Sequence, residues 1–164
     1  MSRADLIREQ LERCGIEYLV WLPDTEVRTF YDSIQAAQNL QLLQVCHEEE
    51  AIGLYTGLYL TGKRAAILIQ NSGMLHSLDA LGHLVVKLQI PLLLMLGYRG
   101  YHKMLSGHQP LDYAAKFTEP VLAAMEIKSY LVDNDEEVEN IGRAFREAMN
   151  GDRPVALLFG AEDE

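Results

Sequence analysis

Three carboxylates stand in a row in His47-Glu48-Glu49-Glu50, immediately ahead of a segment with helical spacing. An acidic side chain at such a junction has two uses. It can satisfy exposed N–H groups at the positive end of the helix dipole, for ~0.3–1 kcal/mol, or it can point into a site as an acid or base. The triplet alone leaves both open. Asn71-Ser72-Gly73 is the second candidate. It follows an apolar strand and opens a helix, so it offers backbone N–H groups and two small polar side chains to an anion or a heterocycle, or forms a plain turn. It is no P-loop, because Gly-Lys-Ser or Gly-Lys-Thr is missing, and the chain has no GxGxxG fingerprint and no GxSxG elbow. Gly97-Tyr98-Arg99-Gly100 closes another strand, where Arg99 either grips a carboxylate through two N–H groups or is a surface cation. His102, Lys103, His108 and Gln109 follow, a locally basic stretch in an acidic chain. His76 and His83 are seven apart on one expected helix with no cysteine or carboxylate at metal spacing, so they read as core or surface histidines.

Such residues need a frame, and the period of the apolar positions supplies one. Leu6, Ile7, Leu11 and Cys14 keep helical spacing up to a capping Gly15. Ile16 to Leu22 reads as a strand stopped at Pro23, and Asp24 or Thr25 caps a helix from Glu26 to Ala37. Leu42 to Cys46 is a strand, Glu48 to Leu60 a helix ended by Gly62, and Ala65 to Gln70 a strand buried on both faces. A helix is expected from Met74 to Lys87, a strand from Pro91 to Leu96, and a long loop from Gly97 to Pro110. Leu111 to Met125 holds Pro120, where a helix should start or restart. A strand from Ile127 to Val132, an Asp133 cap, a helix from Asp135 to Met149 ended by Gly151 and a strand from Pro154 to Phe159 complete the pattern. Six strands alternating with helices, the central ones apolar throughout, predict an α/β fold: one open, doubly wound, mostly parallel six-stranded sheet with helices on both faces. In such sheets ligands bind beyond the carboxyl ends of the strands. Both the acidic triplet and Asn71-Ser72-Gly73 fall there.

The 164 residues suffice for one domain with a full core. A formal net charge of −10 disfavours nucleic-acid and anionic-membrane binding, which depend on Lys and Arg. The N-terminal segment is interrupted by charge and the run Ile90 to Leu96 is too short to span a bilayer, so a cytoplasmic protein is expected. Cys14 and Cys46 form no CxxC pair and read as two buried thiols.

Pro23-Asp24-Thr25, His47-Glu48-Glu49-Glu50, Gln70-Asn71-Ser72-Gly73, Ile90-Pro91-Leu92-Leu93-Leu94 and Gly97-Tyr98-Arg99-Gly100 occur in an order and spacing that resemble the pyrimidine-binding (PYR) domain of thiamine-diphosphate-dependent decarboxylases. The resemblance covers nearly the whole chain and is nearest to the sulfopyruvate and phosphonopyruvate decarboxylases. It implies the thiamine-diphosphate-binding fold of PYR type. It also implies that one glutamate hydrogen-bonds N1′ of the aminopyrimidine, while the cofactor serves as electron sink for loss of CO2 from a 2-oxo acid. The spacing to Gly57 assigns that role to Glu48. Asn71, Ser72 and Gly73 then belong to the cofactor site, Asp24, Thr25, Arg99 and Gln109 to the substrate, and His108 to catalysis. The family holds Mg²⁺ and the diphosphate with a Gly-Asp-Gly motif that this sequence lacks. The resemblance therefore implies a pyrophosphate-binding (PP) domain on a separate β chain, in at least an α2β2 assembly, with self-association open to the isolated chain. Met74-Leu75-His76-Ser77 departs from the subgroup, which usually has a second glycine and an asparagine there, and so does Thr25-Glu26. Sulfopyruvate is the first substrate expected and phosphonopyruvate the second. A carboligase of the same cofactor class and a non-catalytic regulatory or scaffolding subunit are the alternatives.

Overall fold

The structure is a computed structural model and describes residues 2–23, 28–109 and 112–160. The chain runs α1 (Arg3–Arg13), β1 (Tyr18–Trp21), α2 (Arg28–Gln35), β2 (Gln41–Gln44), α3 (Glu48–Leu60) and β3 (Ala65–Gln70). A broken helical run follows: α4 (Asn71–His76), α5 (Leu78–Leu81) and a π-helical turn (Gly82–Val86). Then come β4 (Leu92–Gly97), α6 (Tyr101–Leu105), α7 (Tyr113–Ala124), β5 (Lys128–Val132), a 3₁₀ turn (Glu136–Glu139), α8 (Asn140–Gly151) and β6 (Pro154–Phe159).

The six strands form one sheet in the order β2-β1-β3-β4-β6-β5, and every neighbouring pair is parallel. The expected doubly wound α/β sheet is present, with no antiparallel strand among the described residues. Its period of two sorts each strand between two cores. Ala66 and Leu68 of β3 pack with Ile7 and Leu11 of α1, Ile34 of α2 and Ile141 and Ala144 of α8. Ala65, Ile67 and Ile69 face the other way, toward Ile52 and Tyr55 of α3, Leu81 of α5 and Leu122 of α7. Burial on both faces explains why β3, β4 and β6 lack polar alternation. Truncating one such leucine to alanine costs about 2–5 kcal/mol.

The strand order reverses between β1 and β3. From β1 the chain crosses outward to β2 through α2 on one face, and from β3 it crosses to β4 on the opposite face. The diverging connections leave a crevice at the carboxyl ends of these two strands.

Several sequence expectations are corrected. The two cysteines are not buried thiols: Cys14 is half-buried and Cys46 is exposed. The helix expected from Met74 to Lys87 begins at Asn71 and breaks at Ser77. The stretch from Gly97 to Pro110 is not wholly loop, because α6 forms within it; Gly100, with φ of 81°, makes the turn into that helix. A Cβ at Gly100 would meet the Cβ atoms of Asp112 and Ala115, so its side-chain space belongs to α7. Pro120 neither starts nor restarts a helix but lies inside α7. Lys116 and Pro120 are both exposed, so the carbonyl that loses its partner is open to water. Asp133 does not cap the helix after β5: the Asn134 side chain accepts from the Glu137 N–H, while Asp133 pairs with His102. The expected caps of α2, Asp24 and Thr25, lie outside the described residues.

Candidate active site at the carboxyl edge of the sheet

The N-terminus of α3 divides labour among its three carboxylates. Glu50 is the capping residue: its Oε2 accepts from the backbone N–H of Cys46 at 2.8 Å and of His47 at 3.1 Å. His47, the N-cap, accepts through Nδ1 from the Glu49 N–H at 3.4 Å. The helix end is thus served by Glu50 and His47. Glu49 is exposed. Glu48 is half-buried, and among the described residues no hydrogen bond or ion pair engages its carboxylate. The competition left open by the triplet is therefore resolved residue by residue.

Gly73 defines where Glu48 sits. A Cβ on Gly73 would overlap Oε1, Cδ and Cγ of Glu48. The carboxyl occupies the space that any other residue at position 73 would fill. Beside it stand two imidazoles, His47 from α3 and His76 from α4, with ring centroids 5.1 Å apart. One ligating atom each of His47, Glu48 and His76 lies within 4.8 Å of the others. His76 is a surface histidine, as its spacing suggests, and the fold adds what spacing does not show: Glu48, from another helix, stands near it across the β3–α4 junction. His83 pairs with Asp79, one turn away.

Asn71 is fully buried. Its amide donates to Thr118 Oγ1 at 3.1 Å and to the Arg99 carbonyl at 3.3 Å, and its Oδ1 accepts from the Ser72 N–H. It fastens the end of β3 to α7 and to the loop after β4. Ser72 Oγ donates to Gln70 Oε1 at 2.5 Å. Because α4 has only six residues, its N-terminus has little dipole to offer an anion.

Arg99 is engaged within the chain. Its Nε donates to Asp112 Oδ2 at 3.1 Å and its Nη1 to Gln70 Oε1 at 3.1 Å. Burial alone would raise the Asp112 pKa, but the Arg99 guanidinium and the Ala114 N–H outweigh it and hold the carboxyl below its ordinary range. His102 is tied to Asp133 at 2.9 Å. His108 and Gln109 are exposed, and among the described residues their side chains make no hydrogen bond.

Sequence reasoning missed three contributors. His47 was quoted inside the acidic motif without a role, and its position one residue before Glu48 was the available signal. Gln70 and Asp112 hold Arg99, and nothing in their spacing announces it.

An aminopyrimidine fits this edge: Glu48 offers a carboxylate with no partner among the described residues, cleared of crowding by Gly73. A diphosphate with Mg²⁺ does not. Glu48, Glu49 and Glu50 would repel its phosphates, and the single His/Cys/Asp/Glu cluster at metal spacing among the described residues is rich in imidazole, which suits other ions than Mg²⁺.

The chain is similar to known proteins over most of its length. Residues 1–117 match the model of the thiamine pyrophosphate enzyme, N-terminal TPP binding domain. The sulfopyruvate decarboxylase subunit alpha of Methanococcus maripaludis is 30% identical over 163 residues, covering 98% of this chain and 96% of its own. That of Methanocaldococcus jannaschii is 32% identical over 157 residues, covering 94% and 91%. A sulfopyruvate decarboxylase of Methanosarcina acetivorans is 28% identical over 151 residues, which are 92% of this chain and 38% of that protein. The matched segment contains the α3 N-terminus, Gly73 and Arg99, and the chain belongs to the family of N-terminal TPP-binding domains of thiamine pyrophosphate enzymes.

Proposed function

We propose that this chain is the alpha (PYR) subunit of a two-chain thiamine-diphosphate-dependent decarboxylase of a small anionic 2-oxo acid, with sulfopyruvate the leading substrate and phosphonopyruvate the second. The observation that carries the proposal is the Glu48 carboxylate, without a hydrogen-bond or ion-pair partner among the described residues and seated against Gly73. Relatives bearing the name sulfopyruvate decarboxylase subunit alpha over nearly the full length support the substrate and the subunit role.

Bound thiamine diphosphate supplies the electron sink for loss of CO2. Glu48 holds the aminopyrimidine nitrogen N1′ and sets its protonation. Glu50 and His47 keep the turn that carries Glu48 rigid, and Gly73 keeps its carboxyl in place. Asn71 and Ser72 shape the adjoining wall. Arg99, Gln109, Asp24 and Thr25 are assigned to the substrate, and His108 to proton transfer. Arg99 has five N–H donors, so with Asp112 and Gln70 satisfied it retains donors for an anionic group.

The whole chain serves as a single PYR domain. Mg²⁺ and the diphosphate fall to a PP-domain β subunit, in an assembly of at least α2β2. Besides the residues it buries on the sheet, α3 exposes two leucines, Leu54 and Leu60, apolar surface available to a partner. Among the described residues no helix is long and apolar enough to cross a membrane.

The test is co-expression with a partner that carries Gly-Asp-Gly, followed by measurement of CO2 release from sulfopyruvate and phosphonopyruvate. Turnover of sulfopyruvate by the pair, and none by either chain alone, is the expected result. Micromolar binding of thiamine diphosphate with Mg²⁺ to the isolated chain, or decarboxylation without a second protein, would overturn the division of labour. A carbon–carbon ligation product instead of an aldehyde would overturn the reaction assignment.

A further inference from the structure

We propose that His47, Glu48 and His76 form a binding site for a divalent transition-metal ion of the Zn²⁺ type, one that shares its carboxylate with the cofactor site. Three ligating atoms from two helices, at adjacent ends of the sheet, already lie within 4.8 Å of one another. Two imidazoles and one carboxylate are a donor set for Zn²⁺, Ni²⁺ or Cu²⁺ and a poor one for Mg²⁺ or Ca²⁺. With metal–ligand bonds of ~2.0–2.2 Å, a tetrahedral ion needs its ligands roughly 3.3 Å apart. The closure required is therefore about the reach of a side-chain rotation. His76 is exposed and free to make it. Glu48 has no competing partner among the described residues, and Gly73 fixes its position without blocking it.

His47 gives the site a distinguishing mark. Its Nδ1 lone pair now accepts the Glu49 N–H at 3.4 Å, a long contact. An ion on Nδ1 takes that lone pair directly, and an ion on Nε2 leaves the proton on Nδ1. Either way the Glu49 N–H loses its acceptor. Glu50 keeps its own two cap bonds, so the helix end survives. Ligation by Glu48 also removes the carboxylate that the aminopyrimidine needs. Metal and cofactor are then alternative occupants of one corner, which leaves the isolated subunit able to hold the ion and the assembled one sensitive to it. That competition, though not the metal site itself, rests on the reading of Glu48 given above.

Titration calorimetry of the full chain with ZnCl2, in a non-chelating buffer, tests the site without cofactor or partner. One ion per chain with micromolar affinity is expected, with Mg²⁺ showing no comparable heat. His76→Asn and Glu48→Gln should each weaken binding at least tenfold, and the Glu49 amide resonance should shift on Zn²⁺ addition in the wild type alone. No stoichiometric binding, or equal affinity in His76→Asn and wild type, would overturn the site. A separate measurement addresses the competition. Zn²⁺ should inhibit the pre-assembled decarboxylase less as thiamine diphosphate is raised, and His76→Asn should blunt the inhibition. Zn²⁺ binding by the free chain with inhibition indifferent to the cofactor would leave the metal site standing and remove Glu48 from the cofactor's contacts.

Discussion

Two corners of the same sheet edge are built on opposite plans. At the α3–α4 corner Glu48 is held by shape: Gly73 makes room for it, Glu50 and His47 do the capping, and the carboxylate has no internal partner among the described residues. At the β4–α7 corner Arg99 is held by charge, with Asp112 and Gln70 as partners and Asn71 tying its carbonyl to Thr118. A group positioned without partners keeps its hydrogen-bonding capacity for a ligand. A group positioned by partners is ordered in advance and gives up part of that capacity. The first plan suits the role proposed for Glu48, at the cofactor's ring nitrogen. The second suits Arg99, which anchors the segment after β4 and keeps donors for the substrate role proposed for it.

Breaking the first corner should cost most. Gly73→Ala places a methyl where the Glu48 carboxyl lies, and displacing a catalytic group by an ångström costs about 10²-fold. The assembled enzyme should lose activity on that scale while circular dichroism of the chain stays native. Normal turnover in Gly73→Ala would show that the carboxyl position is not set by this contact. Asn71→Ala strikes the joint between the corners. It leaves buried polar groups unpaired, at about 1–3 kcal/mol, read by denaturant unfolding.

Arg99→Ala should act on substrate rather than on cofactor. Loss of a charge-assisted hydrogen bond, about 1.5–3 kcal/mol, is expected in KM, with thiamine diphosphate affinity unchanged. An effect confined to stability would make Arg99 only a loop anchor. The Arg99–Asp112 pair also predicts an acid limit. Asp112 has a folded-state pKa below its unfolded one, so its contribution is present above about pH 4 and fades as pH falls through the lower value. The stability difference between wild type and Asp112→Asn should shrink to nothing in that acidic window. The smallest effect is expected from His108→Ala, since its side chain is exposed. A change of a few-fold in kcat, without change in KM, would support its role in proton transfer.

The parallel sheet was legible because burial on both faces writes itself as unbroken apolar runs, and Ala65–Gln70 and Pro154–Phe159 were bounded correctly. The helix Glu48–Leu60 was as well, because its acidic start and Gly62 end are local signals. What failed is tertiary in origin. Tyr101–Leu105 is a five-residue helix with no buried residue, so it leaves no periodic trace. Pro120 is tolerated because its side of α7 faces water, which spacing does not reveal. Glu48 could be selected from its neighbours only through resemblance, since composition treats three adjacent glutamates alike. Its geometry against Gly73, and its proximity to His76, join residues some 25 positions apart and needed the fold.

The central claim is that Glu48 activates the cofactor. Hydrogen–deuterium exchange at C2 of thiamine diphosphate, bound to the assembled enzyme, tests it directly in wild type and Glu48→Gln. Slowing by at least ~10²-fold, with the fold and most of the cofactor affinity retained, is the predicted result. Exchange within a few-fold of wild type would contradict it.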